Sequence, residues 1–190
     1  MYSELFCQSN FSFLKGASSP EEIVTTAAFL GYRAVAITDE CSVAGVVRAH
    51  AEINRCRLPG SLIVGSYFTF DDFSFVLLCP DKAAYSELCR VITQARRREE
   101  KGSYALSEWD ITSLRYCFIL WLPTGSEVQD EKWAQWLKRF HPDRCWIAGQ
   151  RLLDGEDHLR FKHYEMLFDK YAIPVAACTG VLMHHKDRLP

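Results

Sequence analysis

The chain has 190 residues, of which 48% are hydrophobic and 13% aromatic, a composition that indicates a folded globular domain and excludes intrinsic disorder. Its 22 lysines and arginines nearly balance 24 aspartates and glutamates, so the net charge of -2 gives no overall attraction to nucleic acid or to an acidic membrane. The sequence has neither a secretory signal nor a run of the roughly 18 apolar residues that a membrane span needs. We therefore expect one cytosolic domain over residues 1–190.

Apolar runs and helix signals alternate along the chain. Ser19-Pro20-Glu21-Glu22 supplies an N-cap, a proline for the first helical turn and a capping-box glutamate, and Gly31 ends the helix that follows. Short apolar runs predict strands at 2–7, 34–38, 62–68, 73–79, 117–122, 145–148 and 175–178. Helical periodicity predicts helices at 23–30, 43–57, 82–98, 131–140 and 157–171.

This alternation predicts the α/β class. Strands that are separated by helices need right-handed crossovers, so we expect a mostly parallel sheet, closed into a barrel rather than open. Residues 186–190 follow the last predicted strand without a helix to cover it, and the barrel is therefore expected to be truncated at its C-terminal end.

Functional residues of parallel α/β folds gather where strands end and loops begin. Asp39 and Glu40 follow the second predicted strand and have the chemistry of a general acid and base, although Asp39 is equally well placed to cap the next helix. A zinc ion is a second hypothesis, weakened because its ligands lack metal-site spacing; they would be Cys7, Cys41, Cys178 and His184. The eight cysteines form no C-x-x-C pair, and we expect most to be small buried side chains.

Four segments carry a resemblance to a known family. ELFCQSNFSFLKGAS at 4–18 resembles the opening of PHP (polymerase and histidinol phosphatase) domains. AITDECSVAGVVRA at 36–49, LCRVIT at 88–93 and RRREEKG at 96–102 resemble the damage-inducible, error-prone C-family DNA polymerases of bacteria. The resemblance implies the N-terminal PHP region of such a DNA-directed DNA polymerase, with a distorted β/α barrel of about seven strands.

An active PHP domain is similar to a phosphoesterase in which His, Asp and Glu side chains on the strand ends hold a cluster of metal ions. The H-x-H motif of the family falls on Phe6 and Gln8, and its T-D-H motif ends at Asp39 and Glu40. The glutamate of strand three falls on Tyr67, whose phenol is normally protonated at neutral pH. A phenyl ring has no lone pair to offer, and an amide is a poor ligand for a transition metal.

The closing G-D-x-H-x-H motif of the family falls on residues 179–184. Its aspartate is Gly180, its first histidine is Leu182, and only His184 remains. We therefore expect a degenerate cleft without a catalytic residue, metal ion or cofactor. The alternatives are a residual metal-dependent phosphoesterase or 3'-5' exonuclease that uses the remaining ligands, and a freestanding regulatory protein that holds a small ligand.

The resemblance also implies a context for the domain. It implies a role in translesion synthesis in the bacterial cytoplasm, without contact with a membrane. The implied partners are the remaining polymerase domains, DNA, a sliding clamp and accessory mutagenesis proteins. Mg²⁺ is expected at a distant polymerase site. The dense basic run could contact DNA or another domain, but a solvated helix end is the simpler interpretation. Its members are Arg90, Arg96, Arg97, Arg98 and Lys101.

Overall fold

The structure, a computed structural model, describes residues 2–188. Its strands are β1 (Ser3–Glu4), β2 (Ala34–Ile37), β3 (Ser61–Phe70), β4 (Phe73–Cys79), β5 (Phe118–Leu122), β6 (Cys145–Gln150) and β7 (Val175–Cys178). Its α-helices are α1 (Pro20–Phe29), α2 (Ala44–Cys56), α3 (Lys82–Arg97), α4 (Glu108–Thr112), α5 (Glu127–Phe140) and α6 (Asp157–Tyr171). None of these helices is long and apolar enough to cross a membrane.

The seven strands form one sheet in chain order that closes on itself. Beyond the ends of β1 and β7, Cys7 and Val181 form a parallel bridge, and the N–H of Gln8 donates to the carbonyl of Val181 at 2.9 Å. Four strand pairs are parallel, whereas β4 runs antiparallel to β3 and β5 among the described residues. The predicted α/β barrel is therefore confirmed, with β4 as the strand that departs from the parallel arrangement.

Local hydrogen bonds set the helix starts and explain where element bounds differ from the prediction. The capping box of α1 is present, since Ser19 N–H donates to Glu22 at 2.9 Å and Glu22 N–H donates to the Ser19 hydroxyl. The first strand is shorter than predicted because the Glu4 carboxylate accepts hydrogen bonds from the N–H groups of the next two residues, at 3.1 Å each. The short helix α4 was not predicted, although Ser107 and Asp110 form its capping box.

Side chains inside the barrel form one apolar cluster, and two others lie between the sheet and its helices. The interior cluster comprises Phe6, Ala36, Val76, Leu78, Leu120, Ala148 and Cys178. One outer cluster packs β3 to β6 against α3, α5 and α6, and the second packs β2 against α1 and α2. Lys186–Arg188 forms a 3₁₀ turn, and residues 189–190 of the predicted chain end lie outside the described residues.

Candidate functional site

Closure of the barrel brings the strand-end residues to one rim, which we call the carboxyl mouth and define by Phe6, Gln8, Asp39, Glu40, Tyr67 and Gly180. Backbone hydrogen bonds join its segments: Tyr67 N–H donates to the Asp39 carbonyl at 3.2 Å, and Cys41 N–H donates to the Tyr67 carbonyl at 2.9 Å. The Phe6 carbonyl accepts from Val181 N–H at 2.9 Å. The segments that follow β1, β2 and β7 thus lie next to one another and next to β3, because their strands are neighbours in the sheet.

Two of the residues that define the carboxyl mouth form a stacked aromatic pair. The rings of Phe6 and Tyr67 are nearly parallel, with centroids 5.4 Å apart and an interplanar angle of 20°. Gly180 has a φ of +69°, and a Cβ there would lie 3.3 Å from the Phe6 ring and 2.6 Å from Nε2 of Gln150. The Tyr67 hydroxyl donates to Ser74 at 3.2 Å. A side chain at position 180 would therefore require the Gln150 amide to move and the Phe6 ring to shift slightly.

Asp39 is fully buried and its carboxylate binds the loop that follows β1. Oδ1 accepts the Ser9 N–H at 2.7 Å and the Ser12 hydroxyl at 2.8 Å, and Oδ2 accepts the Ser9 hydroxyl at 2.8 Å. Burial raises the pKa of Asp39 above its usual range, although these donors oppose the shift. A Cβ on Gly45 would lie 2.5 Å from Oδ2, so only glycine fits the start of α2 against this carboxylate. Asp39 therefore anchors a loop.

Glu40 diverges from Asp39 and forms an ion pair at the edge of the mouth. Lys15 Nζ lies 2.7 Å from Glu40 Oε2 and 5.4 Å from the centre of the Tyr67 ring. The Tyr104 hydroxyl donates to Oε1 at 3.1 Å, and burial, as the largest cause, raises the pKa of Tyr104 to about 12. The structure does not bring Asp39 and Glu40 together as an acid/base pair, because their carboxylates bind different partners.

Gln8 is 4% exposed, and its Nε2 has no hydrogen-bond partner among the residues that the structure describes. An amide N–H group is a hydrogen-bond donor and repels a cation. The side chain at this position thus differs in kind from the imidazole implied by the family motif.

His184 lies away from the aromatic pair, at the start of α1. The Ser18 hydroxyl lies 2.8 Å from His184 Nδ1 and accepts the His184 backbone N–H, also at 2.8 Å. Glu22 Oε2 is 3.8 Å from the same nitrogen, and its backbone hydrogen bond with Ser19 is the largest cause that lowers the pKa of Glu22. Leu182 is 38% exposed. The histidine is therefore held by α1 rather than by the strand ends.

The cysteines of the zinc hypothesis do not form a metal-ligand cluster among the described residues. Cys7, Cys41 and Cys178 belong to three different core clusters. Burial raises the pKa of all three thiols, to about 11 for Cys41 and about 12 for Cys178. Between residues 2 and 188, no group of three or more His, Cys, Asp or Glu side chains could hold a metal ion.

Two arginines of the basic run make intramolecular contacts that the sequence did not reveal. Arg96 donates to the carbonyls of Glu40 and Cys41, at 3.1 and 3.2 Å, and so attaches the end of α3 to the loop after β2. Arg98 donates to the buried Asp110 at 2.5 and 3.0 Å. Burial raises the pKa of Asp110, but the hydrogen bonds from Arg98 and Ser107 outweigh it, so the pKa is lowered overall. The exposed members are Arg97, Arg98 and Lys101, while the half-buried Arg90 donates to Gln94 at 3.3 Å.

Asp130 is a further buried carboxylate, near the ends of β5 and β6, and sequence reasoning missed it. Asp130 accepts the N–H groups of Thr124 and Gly125 at 2.9 Å each, and His163 Nε2 lies 2.8 Å from its Oδ2. These contacts place the start of α5 four residues earlier than predicted. The adjoining cavity of about 400 Å³ is lined by His163 and Arg160, and Arg160 is already paired with Asp157 at 2.5 Å.

A sequence model of the PHP domain matches residues 4–120. The error-prone DNA polymerase of Vibrio campbellii is 58% identical over 190 residues, and that of Methylococcus capsulatus is 44% identical over 193 aligned residues. In both cases 100% of this chain aligns with 18% of the relative, so the chain spans about a fifth of their length. The expected resemblance to this group of polymerases is confirmed.

Two solved structures share the fold. A protein described as a metal-dependent phosphoesterase from Bifidobacterium adolescentis superposes with a TM-score of 0.59 and 14% identity, over 98% of this chain and 88% of that chain. An amidohydrolase from Chromobacterium violaceum gives a TM-score of 0.60 and 14% identity, over 96% of this chain and 88% of that chain. At this identity the likeness shows the fold alone. Because the family model covers more than half of the sequence, the chain belongs to the PHP domain family.

Proposed function

We propose that the chain is a non-catalytic structural and interaction module of an error-prone DNA polymerase that acts in damage-induced translesion synthesis. The assignment to that polymerase is supported by 58% and 44% identity, over the whole chain, to two proteins of that name. The remainder of such a polymerase would supply the polymerase site with its Mg²⁺, the contacts with DNA, and those with a sliding clamp and accessory mutagenesis proteins in the bacterial cytoplasm.

One observation carries the non-catalytic part of the proposal: Phe6 and Tyr67, at two of the family's ligand positions, stack on each other in the carboxyl mouth. In an active PHP domain, metal ligands would stand at these two positions. Several divalent cations close together need carboxylate and imidazole ligands to offset their mutual repulsion. Two packed rings provide no such ligand, and displacing them would expose apolar surface that is now buried.

The ionisable groups that remain at the family's ligand positions already have partners. The carboxylate of Asp39 accepts three hydrogen bonds from one loop, Glu40 is paired with Lys15, and His184 is bound to Ser18 and Glu22. Binding a cation would require these contacts to be broken. The residues present therefore do not fit a metal cluster, and we derive no hydrolytic step through one.

The proposal is tested by metal content and nuclease activity. The protein is equilibrated with Mn²⁺ or Zn²⁺, freed of loosely bound ions and analysed by plasma mass spectrometry, and hydrolysis of a 3'-labelled DNA primer is followed in parallel. We expect well under one metal ion per chain and no hydrolysis above that of a metal-free control. The single variant Phe6→His should not bind metal either, since it restores one ligand of several.

A near-stoichiometric metal ion that His184→Ala removes would overturn the proposal. Together with primer hydrolysis that Asp39→Asn and His184→Ala both abolish, it would establish the residual 3'-5' exonuclease instead. Glu52→Gln serves as the matched control, because Glu52 is paired with Arg55 within α2 and is not one of the residues that define the mouth.

A further inference from the structure

Two cysteines lie directly opposite each other on neighbouring strands. In the antiparallel pairing of β4 with β5, Leu77 is opposite Ile119 and Leu78 is opposite Phe118. The same register places Cys79, the last residue of β4, opposite Cys117, the residue before β5. The 37 residues between the two cysteines include α3 and α4, so the sequence spacing gives no sign of this contact.

Backbone hydrogen bonds identify the kind of cross-strand position. The N–H of Ile119 donates to the carbonyl of Arg144, on the β6 side. Positions 117 and 119 therefore face β6 rather than β4, and the N–H of Cys117 donates to the side chain of Glu87 at 3.0 Å. Residues opposite each other at such non-hydrogen-bonded positions have Cα atoms about 4.5 Å apart, at the near end of the roughly 4.4–6.8 Å that disulfides span.

The two thiols differ in access to solvent. Cys79 is half-buried and packs at the edge of the outer apolar cluster, at the amino end of the barrel. Cys117 is fully buried, and its Sγ donates to the carbonyl of Ala84 at 3.3 Å. Interaction with the Cys79 thiol, followed by burial, raises the pKa of the Cys117 thiol. A small oxidant can therefore reach Cys79 first.

We propose that Cys79 and Cys117 are a redox modification site that closes to an intramolecular disulfide on exposure to hydrogen peroxide. The Cys79 thiolate attacks one oxygen of the peroxide and breaks the O–O bond. This step gives a sulfenic acid and releases hydroxide, and a proton converts the hydroxide to water. The sulfur of Cys117 then attacks the Cys79 sulfur, loses its proton and expels a second water. The two thiols together lose two electrons, which reduce one molecule of peroxide to two of water.

The disulfide would covalently join β4 to β5 at the amino end of the barrel. Reversible disulfides in cytosolic proteins are usually redox-sensing or catalytic rather than structural. The inference is independent of the proposed polymerase role, because it depends only on the register of two strands and on access to one thiol.

The test is peptide mapping of the whole chain after treatment with peroxide, alkylation of the remaining thiols and digestion with trypsin. Cleavage after Arg57, Lys82, Arg115 and Lys132 puts each cysteine of the pair alone in a peptide, 58–82 and 116–132. We expect these peptides to be linked, with the loss of two hydrogen atoms, and the link to disappear on reduction. Cys56, which is exposed, reports that the peroxide is active.

Two variants make the result specific. In Cys117→Ser, a sulfenic acid should accumulate on Cys79 and be trapped by dimedone, whereas Cys79→Ser should leave Cys117 reduced. Cys89→Ser is the matched control, because Cys89 is also half-buried and lies alone in peptide 83–90. The proposal is wrong if the wild-type peptides remain unlinked while Cys56 oxidises, or if Cys79 is linked to Cys89 instead.

Discussion

The two ends of the barrel are built differently. At the carboxyl mouth, the stacked rings of Phe6 and Tyr67 and the hydrogen-bonded Asp39 fill the space between the strand ends. The opposite end, which we call the amino mouth, keeps an open apolar cavity of about 400 Å³ lined by side chains that include Leu5, Leu62, Leu78, Phe118 and Trp146. The ligand positions implied by the family motif are thus packed, and the cavities at the carboxyl end, of about 380 and 400 Å³, lie next to Glu40 and next to His163 instead.

Phe6 is closely packed at the carboxyl mouth, whereas Leu5 borders an open cavity at the amino mouth. An interior close to crystal density gains stability from each well-packed ring, whereas an open cavity contributes little. Substitutions at the two ends should therefore have unequal costs.

Phe6→Ala should give the largest loss of stability. Removing this 6% exposed ring leaves a void under Tyr67, and we expect the free energy of unfolding to fall by about 3–5 kcal/mol. Leu5→Ala should cost only about 1 kcal/mol, since the half-buried Leu5 already borders the open cavity. Urea denaturation of both variants measures the difference.

The matched control for the ring itself is Phe13→Ala, because Phe13 is 84% exposed. Its effect should stay within about 0.5 kcal/mol of zero. Equal losses for Phe6→Ala and Leu5→Ala would mean that the two mouths do not differ in packing.

A buried histidine near the amino end of β6 should make stability sensitive to acid. Burial, and then the charge of Arg144, lowers the pKa of His141 to about 4, while an unfolded chain has the ordinary value of 6.5. The unfolded state therefore binds its proton first, and stability is lost as the pH falls from about 6.5 to about 4. The full contribution is at most about 3 kcal/mol.

This pH dependence is measured by urea denaturation at about pH 7 and about pH 4.5, for the wild type and for His141→Gln. The wild type should lose more stability than the variant between the two pH values. His158→Gln is the control, since His158 is exposed and should leave the wild-type loss unchanged. An equal loss in the wild type and in His141→Gln would exclude the buried imidazole as the cause.

The ion pair at the edge of the carboxyl mouth should have the smallest effect. Lys15 is 44% exposed in its side chain, so Lys15→Met should cost about 0.2–1 kcal/mol, and less at high salt. Arg48→Met, which breaks an exposed pair with Glu21 on the outer surface, is the matched control. A loss much larger than that of Arg48→Met would show that Lys15 holds the mouth closed through Tyr67 as well.

Much of the fold could be predicted because its signals are local. The capping box at Ser19 and Glu22, the apolar strands and the helical periodicities all depend on residues within a few positions of one another. The antiparallel direction of β4 follows from the tight turn between Phe70 and Phe73, whereas its pairing with β5 is set across the intervening α3 and α4. The early start of α5 was missed because it depends on the hydrogen bonds of Asp130 to the preceding turn.

The sequence could predict which side chains stand at the candidate site but not which residues they contact. The sequence named Phe6 and Tyr67 as positions without a metal ligand, and only the structure shows that they stack. The roles of Arg96 and Asp110 were missed because their partners lie in other elements.

What the sequence by itself determined is the α/β alternation, the positions of the strand ends and the side-chain chemistry offered at each of them. These follow from local propensity and from the atoms of each residue. Only the tertiary structure decided that Asp39 anchors a loop, that His184 contacts residues at the start of α1 and that Cys79 lies opposite Cys117. Such contacts join residues far apart in the chain, so they depend on strand register and barrel closure, which no local pattern encodes.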